Sequence, residues 1–490
     1  MPWSFGESWD CYANSTDGLL GYWDGGNATS SFAQMVSGRF AGSQAIQVLS
    51  GGVGAHAFFK SSGANDAVHH LIVAYRQTSS IAGTSLGWFF QLLDGTTAQC
   101  SIVFRSDGTL LLASGAPNGT VLATYAAAVT AINTWFAFEI EVVIHNTAGS
   151  ITVRKNGNTS NDFTQGSLNT RGGTANNYAN RLGVGTYNAV SLNIDDILWR
   201  SDTASVPWVG DIRCYARMPV ADVSVQFAHT PSTSAASGAA YVAPAPRSAN
   251  SGSMTGITAT YTGTVATATI SFNAVVAGNV KAAIYDTTRQ IVLATANMIV
   301  NPVVGNNTVT FPTPLPVVKG TVYYLAVNQD ATQTYNCTGA SGNFFTTPFA
   351  SFPAASPTLS SGAGPWSFLN ITPTVNAEMV NEPQQDGATT YVYDATPGHA
   401  DLYTVASIPS TPIATIAVTA RAFMQKSDAG TRLATVQLKS GATTVSPTAA
   451  VLNSSSWGWV WRTDLTDPNT GAAWTAVAVN AAQIGPVVVS

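Results

Sequence analysis

From Trp135 to Ile144 hydrophobic and polar positions alternate. Phe136, Phe138, Ile140, Val142 and Ile144 fall on one side of an extended backbone; Ala137, Glu139, Glu141 and Val143 fall on the other. A period of two predicts a β-strand with one face in a core. The run from His145 to Gly149 supplies turn residues, and Ile151 and Val153 resume the alternation, so an antiparallel partner strand is expected. Asn156 and Gly157 offer the positive-φ pair of a tight turn. A further strand is expected at Ile194 to Trp199, carrying Asp195 and Asp196 side by side. Leu71 to Tyr75 and Trp88 to Leu93 are continuous apolar runs, the pattern of central strands.

The same short strands, separated by Asp-Gly, Asn-Gly and Gly-Gly pairs, continue along the whole chain. They group into three β-units. Residues 1–228 form the first, and residues 229–250, rich in Ser, Ala and Pro, read as a linker. Residues 251–373 alternate as a second sandwich, with turns at Gly278-Asn279, Gly305-Asn306 and Lys319-Gly320. Residues 374–490 form a third unit, with strands at Thr389 to Tyr393, Ile413 to Phe423, Arg432 to Leu438 and Trp457 to Arg462. Thr475 to Ala482 is its expected helix.

Composition changes this picture in one respect. Charged residues make up 9 % of the 490, although apolar residues reach 45 %. Ordinary soluble domains carry about 25 % charge. The chain can bury large cores, and its surface is expected to rely on neutral polar groups or on assembly with other chains. The net charge is −5 and the 20 basic residues are scattered, which excludes a phosphate-tracking nucleic-acid surface. Cys11, Cys100, Cys214 and Cys337 are far apart with no CxxC pair, so they read as free thiols rather than zinc ligands. The first residues lack the basic and apolar regions of a signal peptide, and no run of 18 apolar residues marks a membrane span.

The Trp135 strand, the Asn156-Gly157 turn and the Ile194-Asp-Asp strand resemble the laminin-G-like, or concanavalin A-like, jelly roll. The 251–373 pattern is similar to immunoglobulin-like or carbohydrate-binding-module-like sandwiches. Further pieces resemble bacteriophage virion proteins that pair a laminin-G-like domain with a carboxy-terminal β-domain. These pieces are Asp195 to Arg200, Gly210 to Pro219, Asp386 to Tyr393, Arg421 to Arg432 and Asp467 to Thr475. The resemblance covers 1–228 and 374–490 and makes the middle sandwich an insertion. It implies a non-enzymatic virion component, displayed as head decoration or within the tail and its fibres. Its partners would be other capsid or tail subunits, and the setting implies a homo-oligomer, with a trimer as one expected form. Synthesis would occur in the host cytoplasm.

Candidate chemistry is sparse, and no cofactor is called for. Glu139 and Glu141 share a strand face, the spacing of a glycosidase pair, but a Glu-x-Asp-x-x-Glu strand of laminarinase-like enzymes would need an acid where Ile144 stands. A solvated polar face is the expectation. Asp195 and Asp196 suit either a calcium ion or, as expected here, hydrogen bonds that cap a neighbouring loop. Asp66 with His69 and His70, and Asp17 with Asp24, are too isolated to define a metal site. Trp457, Trp459 and Trp461 share one strand face. They are expected in a core or interface, with stacking on host-surface glycan as the alternative. An adhesin for host glycan is thus the second functional reading, and a polysaccharide-degrading enzyme the third.

Overall fold

The structure is a computed structural model that describes residues 5–9, 23–24, 33–40, 43–48, 55–78, 83–187, 192–205, 207–231, 234–237, 241–338, 342–381, 390–408, 414–454 and 457–490. It is all-β, apart from the short helices Asn376–Val380 and Ala476–Ala481 and a 3-10 turn at Phe349–Ser351. The chain divides into two compact units. One contains residues up to Ser224 and from Ala395 onward, and the other contains Val225–Val380 with the strand Tyr391–Tyr393.

The first unit begins as a jelly-roll sandwich. Among the described residues its larger sheet has eight strands. They run in the order Phe163–Leu168, Gly149–Lys155, Trp135–Val143, Val68–Gln77, Leu192–Asp202, Gln44–Val48 and Ala33–Ser37, with Phe5–Glu7 also on Leu192–Asp202. The facing sheet orders Ala55–Asp66, Ala179–Thr186, Leu86–Asp94, Thr97–Arg105, Leu110–Ser114 and Val121–Tyr125. Both continuous apolar runs are central strands, as their pattern predicts. Phe136, Phe138, Ile140, Val142 and Ile144 point into the layer between the sheets, where Tyr75, Phe104 and Trp199 join them. The turn after Lys155 forms as expected. Asn156 and Gly157 adopt φ of 54° and 75°, and Asn158 N–H donates to the Lys155 carbonyl at 3.1 Å.

Within the same unit the carboxy-terminal part adds a sheet in the order Pro219–Ser224, Leu402–Val405, Gln483–Val488, Leu433–Ser440 and Thr443–Val445. A separate two-stranded ribbon pairs Val418–Met424 with Gly458–Asp464. The expected helix forms at Ala476–Ala481, with the Thr475 side chain accepting from Ala478 N–H as an N-cap. Ala420, Met424 and Val460 on one face of the ribbon bury with Val436, Leu438 and Trp474.

The second unit is a sandwich of two sheets around Val265, Ile270, Phe272, Ile284, Leu325 and Ile371. Here the structure departs from the expected linker. Ser234–Ser237 and Tyr241–Arg247 are strands, paired with Ser367–Pro373 and Gln333–Thr338. Pro244 and Pro246 lie on the second of these, at a sheet edge where a missing N–H leaves no ladder bond unmade. Proline-rich composition therefore marks a protected edge here as well as a connection.

Candidate functional site

Among the polar groups singled out in the sequence, Glu139, Glu141 and His70 meet on the outer face of the eight-stranded sheet. Glu139 and Glu141 project there, because the intervening Ile140 faces the core. Glu139 is 3 % exposed, so the expected solvated face is corrected. Its Oε1 accepts from His70 Nε2 at 2.8 Å and from Val209 N–H at 2.7 Å, and its Oε2 accepts from Gly210 N–H at 2.8 Å. Glu141 accepts from the Ser205 hydroxyl. Residues 203–205 and 207–215, which follow the last jelly-roll strand, form a strap across the sheet, and they supply the Ser205, Val209 and Gly210 donors. Trp208 sets its ring edge-on to His70 at 4.9 Å, and the Arg154 guanidinium lies 4.4 Å over the Trp208 ring. Ile144, the position that an acid would have to fill for the laminarinase pattern, is fully buried in the core.

Asp196 holds the same strap farther along, and Asp195 holds Arg39, which reaches the strap. Adjacent strand residues ordinarily face opposite ways. Here the pairing shifts register between Asp195 and Leu198, and Asp196 takes φ of 50°, so one residue bulges out of the ladder. Ile194, Ile197 and Trp199 thereby all reach the core. Asp195 accepts from Arg39 N–H and from Asp196 N–H, both at 2.8 Å, and Asp196 accepts from Cys214 N–H at 2.7 Å. Arg39 pairs in turn with Asp211 of the strap. These acids fasten neighbouring loops through hydrogen bonds. Among the described residues no three His, Cys, Asp or Glu side chains converge as metal ligands. Arg39, Asp211 and the strap amides were absent from the sequence-derived candidates. Their one signal was the Gly210-Asp-Ile-Arg run.

The histidines separate. His70 faces the strap, whereas His69 lies parallel to the Trp199 ring at 6.0 Å, with Nε2 3.0 Å from the Asp66 carbonyl. Asp66 itself accepts from Ser201 Oγ at 2.7 Å. Asp24 accepts from Lys60 Nζ at 3.1 Å and from Ser61 N–H, while Asp17 lies outside the described residues. Burial pushes His69 down to about 4, well below the ordinary 6.5. The folded chain thus keeps the ring neutral while the unfolded chain protonates it, so stability is complete above about pH 6.5 and falls as pH drops toward 4. This one group can contribute a slope of at most about 1.4 kcal/mol per pH unit. Urea midpoints measured between those limits are expected to fall with pH, and less steeply in His69→Gln. Cys100, Cys214 and Cys337 are free thiols, and burial pushes Cys100 up to about 12; Cys11 lies outside the described residues.

Trp457, Trp459 and Trp461 do share a face, and Phe423 joins them from the paired strand. Its ring centroid lies 5.6 Å from Trp457 and 4.8 Å from Trp459. That face packs toward the chain's own jelly roll. Trp459 contacts the sandwich core, the Arg421 guanidinium lies 5.0 Å over the Trp459 ring, and Arg421 also reaches Glu7 at 4.0 Å. Lys60 sits 4.4 Å from the Trp461 ring centroid and is 2 % exposed. Burial drives its ammonium below the usual lysine range, with Asp24 and Glu7 opposing the shift. Trp461, 39 % exposed, is the most exposed ring of the three. Trp459→Ala is expected to cost about 2 kcal/mol, less than the ~3–5 kcal/mol of a fully buried tryptophan. Trp461→Ala should cost under about 1 kcal/mol. Paired urea titrations would measure the order.

No protein-family model matches this sequence, and a search of curated proteins returns no match. Solved structures share its β-sandwich construction at low similarity. The catalytic domain of a glycoside hydrolase family 131 protein from Coprinopsis cinerea is 11 % identical with a TM-score of 0.28, covering 44 % of this chain and 98 % of that domain. A GH131 β-glucanase catalytic domain from Podospora anserina is 9 % identical with a TM-score of 0.23, covering 40 % and 86 %. The N-terminal CBM22 tandem domain of Xyn10C from Paenibacillus barcinonensis is 8 % identical with a TM-score of 0.21, covering 68 % and 97 %. At these values the likeness carries no statement about activity or ligand.

Proposed function

We propose that this chain is a non-catalytic structural component of a tailed-bacteriophage particle, on the head or in the tail and fibre assembly. One observation carries the non-catalytic part. The carboxylate best placed for chemistry, Glu139, is enclosed and takes three hydrogen bonds from the chain's own His70, Val209 and Gly210. A general acid or nucleophile must instead reach a substrate oxygen or carbon. The particle setting is supported by the sequence motifs, Gly210 to Pro219 and Asp467 to Thr475 above all, and by a surface with few ionic groups. Homo-oligomerisation with other virion subunits follows from that setting. The adhesin reading through the tryptophan row is weaker, since two of the three rings are half-buried against the same chain.

Immunogold labelling of intact particles tests the setting, and gold on heads or tails is the expected result. Release of new reducing ends from host capsule or lipopolysaccharide by the purified chain would overturn the non-catalytic assignment. Light scattering should return a multiple of 50.8 kDa.

A further inference from the structure

We infer that two copies of this chain meet flank to flank through residues 290–304 of the second unit, around a twofold axis. This gives the homo-oligomer proposed above a surface and a symmetry, and it rests on that reading only in requiring copies to associate. Between Arg289 and Lys319 no residue is charged. The stretch forms one flank of the sandwich and supplies an end strand to each sheet. Among the described residues, Val292–Thr295 and Ile299–Val300 pair with Asn279–Tyr285 alone. Gly305–Val317 pairs with Gly263–Ala274 alone. Between them the Asn297 N–H donates to the Thr310 carbonyl at 2.7 Å, which ties the two ends into one flank.

An end strand turns every second N–H and C=O away from its sheet, and folded chains ordinarily blunt such strands with charge or proline. Two other end strands of this unit follow that rule. Pro312, Pro314 and Pro316 lie on Gly305–Val317, and Pro244 and Pro246 lie on Tyr241–Arg247. The end strand made by Val292–Thr295 and Ile299–Val300 carries neither charge nor proline. Along it and the turn that follows, Ile291, Leu293, Met298, Val300, Val303 and Val304 stand 39–63 % exposed. Thr295, Asn297 and Asn301 supply neutral polar groups between them.

The extent of this row fits a second copy. Side chains of this size present roughly 150–200 Å2 each when fully open, so the six together offer roughly 500–600 Å2 of apolar surface. A standard interface takes about 800 Å2 from each side, and about 65 % of a homodimer interface is apolar, or about 520 Å2. A twofold axis sets the stretch against itself, so each apolar row is covered by its counterpart and no like charges meet. A different protein would need a feature that selects it, and selection between unlike partners draws on complementary charge. This flank offers none.

Light scattering of the full chain after size-exclusion chromatography, over a concentration series, tests the assignment. The parent is expected at twice 50.8 kDa. Val300→Lys/Val304→Lys places a pair of ammonium groups from each copy in the contact and should return the single-chain mass. Val477→Lys, at a residue 79 % exposed on the helix Ala476–Ala481, should leave the dimer intact. Val300→Thr/Val304→Thr keeps the shape and adds two hydroxyls; it should raise the dissociation constant tenfold or more, and it keeps the test decisive if the lysine pair misfolds. A parent chain that stays monomeric over the series would overturn the proposal. So would an assembly of any size whose mass neither pair of substitutions changes, or a dimer that Val477→Lys also dissolves. A trimer indifferent to both pairs would remove this contact and leave the virion reading standing, whereas intact particles without gold label would remove the setting and leave the contact.

Discussion

Glu139→Ala is expected to destabilise the first unit by about 3–5 kcal/mol, because each buried donor left without an acceptor costs about 1–3 kcal/mol. The loss is large because three donors converge on this carboxylate, and two of them are backbone amides of the strap. Without it, His70 and the amides of Val209 and Gly210 lose their acceptor beneath Trp208. Glu139→Gln retains one carbonyl oxygen but replaces the other acceptor with an NH2 group facing an N–H, so it should recover a minor share. Guanidinium unfolding midpoints of the three proteins measure the effect. A catalytic carboxylate would behave in the opposite way, since its removal commonly leaves stability unchanged or raised. A Glu139→Ala protein as stable as its parent would therefore undo the fastener assignment.

Phe104→Ala is expected to cost a similar ~3–5 kcal/mol for a different reason. Phe104 is fully buried at the centre of the sandwich layer, stacked on Tyr75 at 4.2 Å and edge-on to Phe138 at 5.1 Å and to Phe90 at 6.3 Å. Truncation opens a cavity bounded by three rings from both sheets, and aromatic pairs add about 0.5–1.5 kcal/mol each beyond area. Phe104→Leu refills most of the volume and should cost less than half as much. Differential scanning calorimetry on both variants separates the cavity contribution from the ring contacts.

These two residues differ in how far the sequence foretells them. Phe104 lies in an apolar run next to an Asp-Gly turn, so its burial follows from local pattern. The strands and the Asn156-Gly157 turn follow from the same kind of signal, since period and turn chemistry each act within a few residues. Glu139 does not. Its environment is set by Val209 and Gly210, 70 and 71 residues later, and alternation alone cannot tell a solvated face from one covered by a distant strap. The bulge at Asp196 escapes for a related reason, because an extra residue in a ladder shows only once the partner strand fixes the register. The tryptophan row was legible as a row, but its cover comes from Lys60 and the jelly-roll core, far upstream. Residues 229–250 hold two strands that composition does not announce, because proline reports a missing donor, which suits a loop and a sheet edge equally.

Pro219–Ser224 pairs with Leu402–Val405 only after the whole second unit has been made. At ~5–20 residues per second of synthesis, the earlier strand waits for roughly ten to forty seconds with its ladder groups open. A ribosome stalled within the second unit would hold a nascent chain whose jelly roll can condense but whose closing sheet cannot. Chaperone capture during translation should peak over that interval and subside once Leu402–Val405 clears the exit tunnel.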